Sequence, residues 1–179
     1  MKKTYFILFA SFLIATMAVA QKGEIIFGGG ADVSFPSGEF GNYFKPGFGV
    51  YGKTMFGVSK AGQVTFTSGY SSFKLRPGLA DVTTTFNQIP ILFGYRHNFN
   101  SFFVEPQLGY SFVGVKMTSE EDGSYTEGSG LVTWAAGVGY VFNNHVEIGA
   151  RYQSGSKNGS SVSSFGLRLG YNFSLKNSK

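Results

Sequence analysis

The sequence contains no cysteine, which excludes disulfide bonds, thiolate metal ligands and a cysteine nucleophile. Histidine is scarce as well, because only His97 and His145 are available for acid–base or metal chemistry. Charged residues make up only 14% of the chain. No stretch after residue 20 approaches the ~18 consecutive apolar residues that indicate a transmembrane helix. The sequence therefore excludes a helical membrane protein and offers little for an enzyme active site.

The first 20 residues have the three parts of a secretory signal peptide. Lysines at positions 2 and 3 form a positive n-region, an apolar stretch covers residues 5–15, and Ala18-Val19-Ala20 is a small-residue cleavage site. An N-terminal membrane anchor is the alternative, but the apolar stretch is short for a spanning helix. We therefore divide the chain into a signal peptide, residues 1–20, and one domain, residues 21–179.

The net charge is modest once the predicted signal peptide is removed. The formal charge falls from +5 to +3 without the two N-terminal lysines, and the charges are scattered, which argues against a nucleic-acid partner. The chain has instead 20 Phe, 10 Tyr and 26 Gly residues. Many aromatics and glycines with few charges suit a one-layer sheet with an apolar exterior and tight internal packing.

The rest of the chain reads as amphipathic strands of period two, most of them ten residues or longer. The eight predicted strands cover residues 24–35, 47–58, 63–73, 86–98, 102–115, 130–142, 145–154 and 163–174. Short links, residues 59–62, 99–101 and 143–144, alternate with long polar links, residues 36–46, 74–85, 116–129 and 155–162. Short periplasmic turns that alternate with long external loops are typical of outer-membrane β-barrels.

The two faces of the predicted strands differ in polarity. In the last strand, Phe165, Leu167 and Leu169 alternate with Gly166 and Arg168. Faces of Gly, Glu, Arg and Gln cannot build the core of a soluble barrel such as a lipocalin, so the apolar faces must meet lipid. The predicted fold class is therefore all-β: an eight-stranded antiparallel up-and-down transmembrane β-barrel of the bacterial outer membrane, preceded by a cleavable signal peptide.

Outward-facing aromatic residues fall near the strand ends, where amphipathic rings favour the two membrane–water interfaces. The alternative is a scatter of aromatics, which β-structure favours anyway. The predicted aromatic girdle consists of Phe56, Tyr95, Phe102, Tyr110, Trp134, Tyr140, Tyr152, Phe165, Tyr171 and Phe173.

Three segments resemble those of small outer-membrane barrels: residues 88–96 (QIPILFGYR), 103–110 (FVEPQLGY) and 166–173 (GLRLGYNF). Together with the signal peptide, they make nearly the whole chain similar to the broad, porin-like outer membrane protein β-barrel domain family. The resemblance implies outer-membrane lipids and lipopolysaccharide as the surroundings. It also implies assembly by the barrel-insertion machinery, which reads a terminal aromatic residue, here Phe173. These patterns are specific for location and weak for activity.

The charged residues at inward positions are balanced, with four acids and four bases. They are Glu24, Asp32, Lys53, Arg96, Glu105, Glu147, Arg151 and Arg168. An eight-stranded barrel is just wide enough to be filled by side chains, so we predict an ion-pair network that plugs the lumen, with Arg96 and Glu105 close across a tight turn. A selective or gated pore is the alternative, although selective pores usually have rings of one charge sign.

Two prolines, Pro90 and Pro106, fall on adjacent predicted strands. Hairpin pairing places them roughly three residues apart in register. Each proline lacks an N–H and removes a ladder hydrogen bond. One hypothesis is a lateral seam through which an apolar molecule leaves sideways into the membrane. The other is a pair of bulges or non-bonded positions.

We predict a non-enzymatic, monomeric protein without cofactor, metal or catalytic site. It is either a narrow porin-like channel for small solutes or a membrane scaffold with a plugged lumen. The alternatives are a surface-loop adhesin that binds through Tyr43, Phe44 and Tyr125, or a lateral-exit transporter of small hydrophobic molecules. The acidic stretch Glu120-Glu121-Asp122 lacks the ordered spacing of a calcium loop and is predicted to be a solvated loop.

Overall fold

The computed structural model describes residues 24–77, 83–119 and 123–175, and all of their side chains except those of residues 83, 117–119, 123–127 and 175. The predicted signal peptide and the acidic stretch 120–122 lie outside the described residues. Eight antiparallel strands form a closed barrel in chain order, in which β1 also pairs with β8. The strands are β1 (Ile25–Ser37), β2 (Gly47–Gly57), β3 (Gly62–Lys74), β4 (Thr83–Phe99), β5 (Phe102–Ser119), β6 (Gly123–Phe142), β7 (Val146–Lys157) and β8 (Ser160–Leu175). A short helix, α1 (Glu39–Tyr43), lies between β1 and β2. The predicted fold is confirmed.

The barrel wall is inverted relative to that of a soluble protein. Phe48 is 72% exposed and Leu108 is 63% exposed on the outside, whereas Arg96 on the inside is 1% exposed. This arrangement follows from the period of two, because alternate side chains of a strand point to opposite faces of the sheet. No helix among the described residues is long and apolar enough to cross a membrane.

The two ends of the barrel differ. The turn end carries the connections 58–61, 100–101 and 143–145, and the loop end carries α1 and the connection between β3 and β4. Asparagines make two of these three turns possible, since Asn100, Asn143 and Asn144 have positive φ angles of 59°, 49° and 62°. Asparagine adopts this left-handed conformation more readily than most residues. The three predicted short turns are therefore confirmed.

Two of the predicted long loops, residues 116–129 and 155–162, are wrong. β5 and β6 continue to pair as far as Ser119↔Gly123, and β7 and β8 meet at a turn of two residues, Asn158-Gly159. Both turn residues have positive φ angles, 49° and 85°, which is the requirement of a type I′ hairpin turn. Both segments are rich in polar residues because they extend past the apolar wall, and polarity alone does not distinguish a strand extension from a loop.

Candidate functional site

Two bases and two acids form a buried ion-pair cluster inside the turn-end half of the barrel. Lys53 Nζ lies 2.8 Å from Glu105 Oε2 and 3.3 Å from Glu147 Oε1. Arg96 Nη2 lies 2.8 Å from Glu105 Oε2, and its Nη1 lies 2.8 Å from Glu147 Oε2. These residues come from β2, β4, β5 and β7, so the ion-pair cluster crosses the lumen from wall to wall. The structure thus brings Arg96 and Glu105 together across the β4–β5 turn.

Neutral side chains complete the hydrogen bonding of the two carboxylates. The Thr65 hydroxyl and the Gln107 amide donate to Glu105 Oε1 over 2.9 and 2.8 Å. The Asn172 amide donates to Glu147 Oε2 over 3.3 Å. Glu105 is only 4% exposed, and a buried charge is tolerated when it is both paired and hydrogen-bonded. The ion-pair cluster satisfies both conditions.

An aromatic ring supports the cluster at the turn end. The guanidinium carbon of Arg96 lies 3.6 Å from the centroid of the Phe103 ring, and Lys53 Nζ lies 5.7 Å from the same centroid. The ring has room because Gly139 faces it: a Cβ at that position would lie 2.5 Å from the ring. Cation–π attraction adds to the ion pairs when both partners are removed from water. Sequence reasoning missed Phe103. It directly follows the outward-facing Phe102 in the strand, so the period of two predicts that its side chain points inward.

A second ion pair lies nearer the middle of the barrel. Arg168 Nη2 is 3.6 Å from Asp32 Oδ2, and these residues are direct cross-strand neighbours on β8 and β1. The Ser34 hydroxyl donates to Asp32 Oδ1 over 3.4 Å. The guanidinium carbon of Arg168 lies 4.2 Å from the centroid of the Tyr51 ring. The pair is looser than the ion-pair cluster, since its charged atoms are farther apart.

The predicted balance of four acids and four bases is not what the structure contains. Glu24 precedes β1, is exposed, and accepts a hydrogen bond from the Ser174 hydroxyl at the turn end, so it does not belong to the lumen. Three acids then face four bases. Arg151 is 5% exposed and has no carboxylate within ion-pair distance among the described side chains. Its Nη2 donates to Gln153 Oε1, whereas its Nε and Nη1 have no hydrogen-bond partner there.

Phenylalanine rings cover the loop end of the lumen. Phe40 of α1 packs against Phe73 of β3 and Phe86 of β4, with ring centroids 5.3 and 4.9 Å apart. Phe44 and Val162 join this aromatic cap, which therefore spans the mouth, because β8 stands opposite β4 in an eight-stranded barrel. Sequence reasoning missed the cap. Phe73 and Phe86 share the inward parity of Ser71 and Gln88, but nothing in the pattern of the loop pointed to Phe40.

The surface-loop hypothesis named three aromatic residues, and the structure separates them. Tyr43 is 55% exposed at the loop end. Phe44 instead turns inward and packs on Phe40, with ring centroids 4.6 Å apart. The side chain of Tyr125 lies outside the described residues. Only Tyr43 is thus available, among the described side chains, for the contact that this hypothesis requires.

A polar cavity lies between the ion-pair cluster and the aromatic cap. The space between its lining atoms totals about 430 Å³, a figure that includes open solvent. Phe73 lines the side of the cavity nearer the loop end. Its walls include Tyr51, Gln88, Arg151 and Arg168. A smaller space, with about 250 Å³ between its lining atoms, adjoins the ion-pair cluster on the side of the turn end. Arg151 and Arg168 line this space as well as the cavity.

The two prolines do not line up on one seam. Pro90 pairs with Ser111, so it stands five positions from Pro106 along β5 rather than the predicted three. Pro90 is buried in the lumen wall, whereas Pro106 is exposed on the outside. In the ladder between β3 and β4, the pair Ser68↔Ile91 is followed next by Ser71↔Gln88. The residues between them, Pro90 among them, are unpaired on this side. The ladder between β4 and β5 has its own gap beside Pro106. Each proline therefore interrupts a different ladder, because each lacks the N–H needed on one side.

The ten predicted girdle residues lie on the outer surface in two bands. The band near the turn end contains Phe56, Tyr95, Phe102, Tyr140, Tyr171 and Phe173, and the band near the loop end contains Tyr110, Trp134, Tyr152 and Phe165. Rings meet within each band: Phe102 and Tyr140 are 4.8 Å apart between centroids, and Trp134 and Tyr152 are 5.5 Å apart. The separation of the bands is the arrangement that an interfacial role requires.

Both histidines lie outside the lumen at the turn end. The His97 ring packs 4.6 Å from the Phe99 ring, and the His145 ring lies 5.4 Å from the Tyr171 ring. His145 Nδ1 donates to the Asn143 carbonyl over 2.6 Å. Within the described residues there is no group of three or more His, Asp or Glu side chains that could hold a metal ion.

Comparison with solved structures places this barrel among small outer-membrane proteins. It is similar to Ail, the attachment invasion locus protein of Yersinia pestis solved with the heparin analogue sucrose octasulfate (TM-score 0.65, 16% identity, 86% of this chain and 100% of that chain). It is also similar to Neisserial surface protein A (TM-score 0.57, 16% identity, 84% and 98%) and to OprG from Pseudomonas aeruginosa (TM-score 0.54, 12% identity, 86% and 97%). At these identities the likeness shows the fold alone.

The family comparison covers nearly the whole chain. No curated protein matches the sequence. The model of the family described as "Outer membrane protein beta-barrel domain" matches residues 6–173. That match agrees with the inverted barrel, in which the apolar face is outside and the charges are inside. The chain belongs to the outer membrane protein beta-barrel domain family and is a protein of the bacterial outer membrane.

Proposed function

We propose that this protein is a non-enzymatic, non-conducting scaffold of the outer membrane, with a lumen closed to ions. The observation that carries this proposal is the ion-pair cluster, which crosses the lumen on four different strands and contains charges only 1–5% exposed. Its two acids and two bases give no excess of one sign, whereas selective pores usually have rings of one sign. The balance supports a structural plug over a pore.

The energetic argument points the same way. An ion path through the turn-end half requires the separation of ion pairs that are held at 2.8–3.3 Å away from water. Separating a buried pair so that a charge is left uncompensated costs about 3–5 kcal/mol. The cluster residues are carried by four strands of a closed barrel, each of which pairs with a neighbour on both sides. An open state is therefore rare in the protein as it stands.

Conductance of the refolded protein in a planar bilayer tests this proposal, after the gel shift between heated and unheated samples has established folding. We expect no discrete channels. The matched variant Phe40→Ala weakens the aromatic cap and leaves the ion-pair cluster in place, so it should also be silent. Discrete channels in the wild type whose conductance changes in Glu105→Gln would overturn the proposal. Channels in Phe40→Ala alone would mean that the cap, not the cluster, is the barrier.

We propose further that the loop end faces the cell exterior and presents the extended hairpins. Phe112 faces outward, and its ring centroid lies 5.4 Å from that of Tyr110 in the loop-end band. β5 continues seven residues beyond Phe112, as far as Ser119, and β6 begins at Gly123. At about 3.3 Å per residue the hairpin extends on the order of 20 Å along its axis beyond that level. Paired strands hold such a projection in place better than a loop of the same length. This geometry supports surface display, and Neisserial surface protein A, one of the similar barrels, is a surface protein by its name.

Single cysteines test the orientation directly, because the chain has none of its own. Ser119→Cys lies at the tip of the β5–β6 hairpin, and Asn144→Cys lies in the turn between β6 and β7. In intact cells a membrane-impermeant maleimide should label Ser119→Cys and leave Asn144→Cys unlabelled, and both should react once the outer membrane is permeabilised. The reverse pattern would place the turn end outside and contradict surface display by these hairpins.

We propose that the barrel works as a monomer among outer-membrane lipids and lipopolysaccharide. All eight strands present apolar side chains outward, including Phe27, Phe48, Phe66 and Phe93, so no sector of the wall is reserved for a protein partner. Chemical cross-linking in vesicles should give the monomer alone. A dominant dimer at low protein density would contradict this assignment.

A further inference from the structure

The polar cavity contains a positive charge that nothing beside it neutralises. Arg151 is 5% exposed, and its guanidinium has no acid within ion-pair distance among the described side chains. A buried charge is costly unless it is paired and hydrogen-bonded. The neighbouring Arg168 is already engaged with Asp32, the one carboxylate that lines this cavity. The cavity lining therefore carries two guanidinium groups against one acid.

Four buried polar atoms, on three side chains of the cavity wall, also lack a partner. They are Nε and Nη1 of Arg151, Nε2 of Gln88 and the hydroxyl of Tyr51. Gln88 is 3% exposed and Tyr51 is 7% exposed, so open solvent does not satisfy them. Buried polar groups almost always have partners, and a group without one calls for an explanation such as a bound ion or water. Here the unmet groups share one space, come from β2, β4 and β7, and are predominantly donors.

We propose that the cavity between the ion-pair cluster and the aromatic cap is a binding site for a small anion with oxygen acceptors, a phosphate or carboxylate group. Arg151 supplies the counter-charge, and Gln88 and Tyr51 supply further hydrogen bonds. Guanidinium groups recognise phosphate and carboxylate well because their N–H donors match the planar spacing of the acceptor oxygens. Asp32 opposes the anion, and its pairing with Arg168 limits that opposition.

The location sets the size of the ligand and its route. The space between the lining atoms totals about 430 Å³ and includes open solvent, so it is an upper bound on the room in the cavity and excludes a long chain. The ion-pair cluster closes the way to the turn end, so the anion enters from the loop end beside the aromatic cap. The site is a blind pocket, and its existence does not depend on whether the lumen conducts.

Thermal unfolding of the refolded protein in detergent tests the site, with the midpoint read from the gel shift. Sodium phosphate and sodium acetate are compared with sodium chloride at equal ionic strength. A ligand that binds only the folded state shifts the unfolding equilibrium by the factor 1 + [L]/Kd, which is about a hundredfold at one hundred times Kd. The wild-type midpoint should therefore rise with phosphate or acetate.

Two variants assign the effect to the cavity. Arg151→Gln removes the uncompensated charge, so without added oxyanion it should be at least as stable as the wild type, and it should not respond to phosphate. Lys60→Gln removes one positive charge from the exposed β2–β3 turn and should respond as the wild type does. Equal responses in all three proteins would overturn the proposal, because the effect would then be a general salt effect.

A crystal of the wild-type protein grown with selenate gives a second measurement that needs no variant. Selenate is a tetrahedral oxyanion like phosphate, and the anomalous signal of its selenium locates it in the crystal. We expect a selenate whose oxygens lie within hydrogen-bond distance of the Arg151 guanidinium. Water alone in the cavity at high selenate would overturn the proposal, and so would selenate bound only on the outer surface. This measurement decides the matter even if Arg151→Gln fails to fold.

Discussion

Glu105 is the residue on which the ion-pair cluster depends most. Its carboxylate accepts hydrogen bonds from Lys53 Nζ at 2.8 Å, from Nε and Nη2 of Arg96 at 3.1 and 2.8 Å, and from Thr65 and Gln107. In Glu105→Gln the shape is kept and the charge is lost, so Lys53 and Arg96 must share Glu147. Removing one partner of a buried ion pair costs about 3–5 kcal/mol, and we expect a loss of that size in the free energy of unfolding.

The assay is equilibrium unfolding in denaturant with the protein inserted in lipid vesicles, followed by circular dichroism and by the gel shift. Glu24→Gln is the matched control, because it removes the same charge from an exposed site at the turn end. Surface substitutions of this kind usually change stability by less than about 0.5 kcal/mol. A loss below about 1 kcal/mol in Glu105→Gln, the range of exposed ion pairs, would refute the picture of a dry, buried cluster.

A double-mutant cycle separates the pair from the rest of the cluster. Lys53→Met added to Glu105→Gln removes the base whose Nζ lies 2.8 Å from the lost carboxylate. The remaining Arg96 and Glu147 then keep equal and opposite charges, so the double variant should lose less than the sum of the two single losses. Contacting residues in one network show coupling of about 0.5–3 kcal/mol. Strict additivity would mean that Lys53 and Glu105 do not interact.

Three further outcomes are expected. Phe103→Ala should lose about 3–5 kcal/mol of unfolding free energy in the vesicle assay, because the centroid of its ring lies 3.6 Å from the Arg96 guanidinium carbon. Leu108→Ala on the lipid-facing surface should lose less. Equal losses in the two variants would contradict the inward role of the Phe103 ring. Gly159→Ala should lose roughly 1 kcal/mol in the same assay, because its φ of 85° disfavours a side chain; an unchanged value would mean that the turn relaxes freely. Phe40→Ala should speed the labelling of a Ser71→Cys probe in the cavity by a small thiol reagent, because the aromatic cap is weakened; an unchanged rate would show that reagents reach the cavity by another way.

The barrel itself could be predicted from the sequence because its signal is repeated in every strand. Alternation such as Phe165, Leu167 and Leu169 against Gly166 and Arg168 fixes the face of each residue, since a slip of one residue would exchange the faces. The pairing of Arg96 with Glu105 was equally accessible, because few residues separate them across a tight turn. These inferences need only the period of two and short-range geometry.

Register was less accessible than face. The predicted β4–β5 turn is centred one residue earlier than the observed turn, and this difference shifts every cross-strand pair by two positions. A shift of two leaves the faces unchanged. The predicted distance of Pro90 from Pro106 is therefore three positions, whereas the observed distance is five. One misjudgement was avoidable, because Asn158-Gly159 is a strong signal for a two-residue hairpin.

The aromatic cap and the unmatched Arg151 depend on tertiary contacts that no local pattern encodes. Phe40 lies in a link without periodicity, and its partners on β3 and β4 are more than 30 positions away in the chain. The charge count failed by one residue, because Glu24 has the right parity but precedes the first residue of β1. A single residue at a strand end thus decides whether the lumen is neutral.

The two closures of the lumen differ in what must move to open them. The ion-pair cluster is carried by side chains on β2, β4, β5 and β7, and each of these strands is fixed on both sides by backbone hydrogen bonds. Phe40 of the aromatic cap is carried by a helix of five residues in the link between β1 and β2, and it is held by apolar ring contacts. Displacing that link exposes apolar surface and breaks no pair between strands, whereas opening the cluster separates charges in a dry site. The loop end therefore opens at the lower cost, so in the proposed orientation an ion that reaches the cavity comes from the cell exterior rather than from the periplasm.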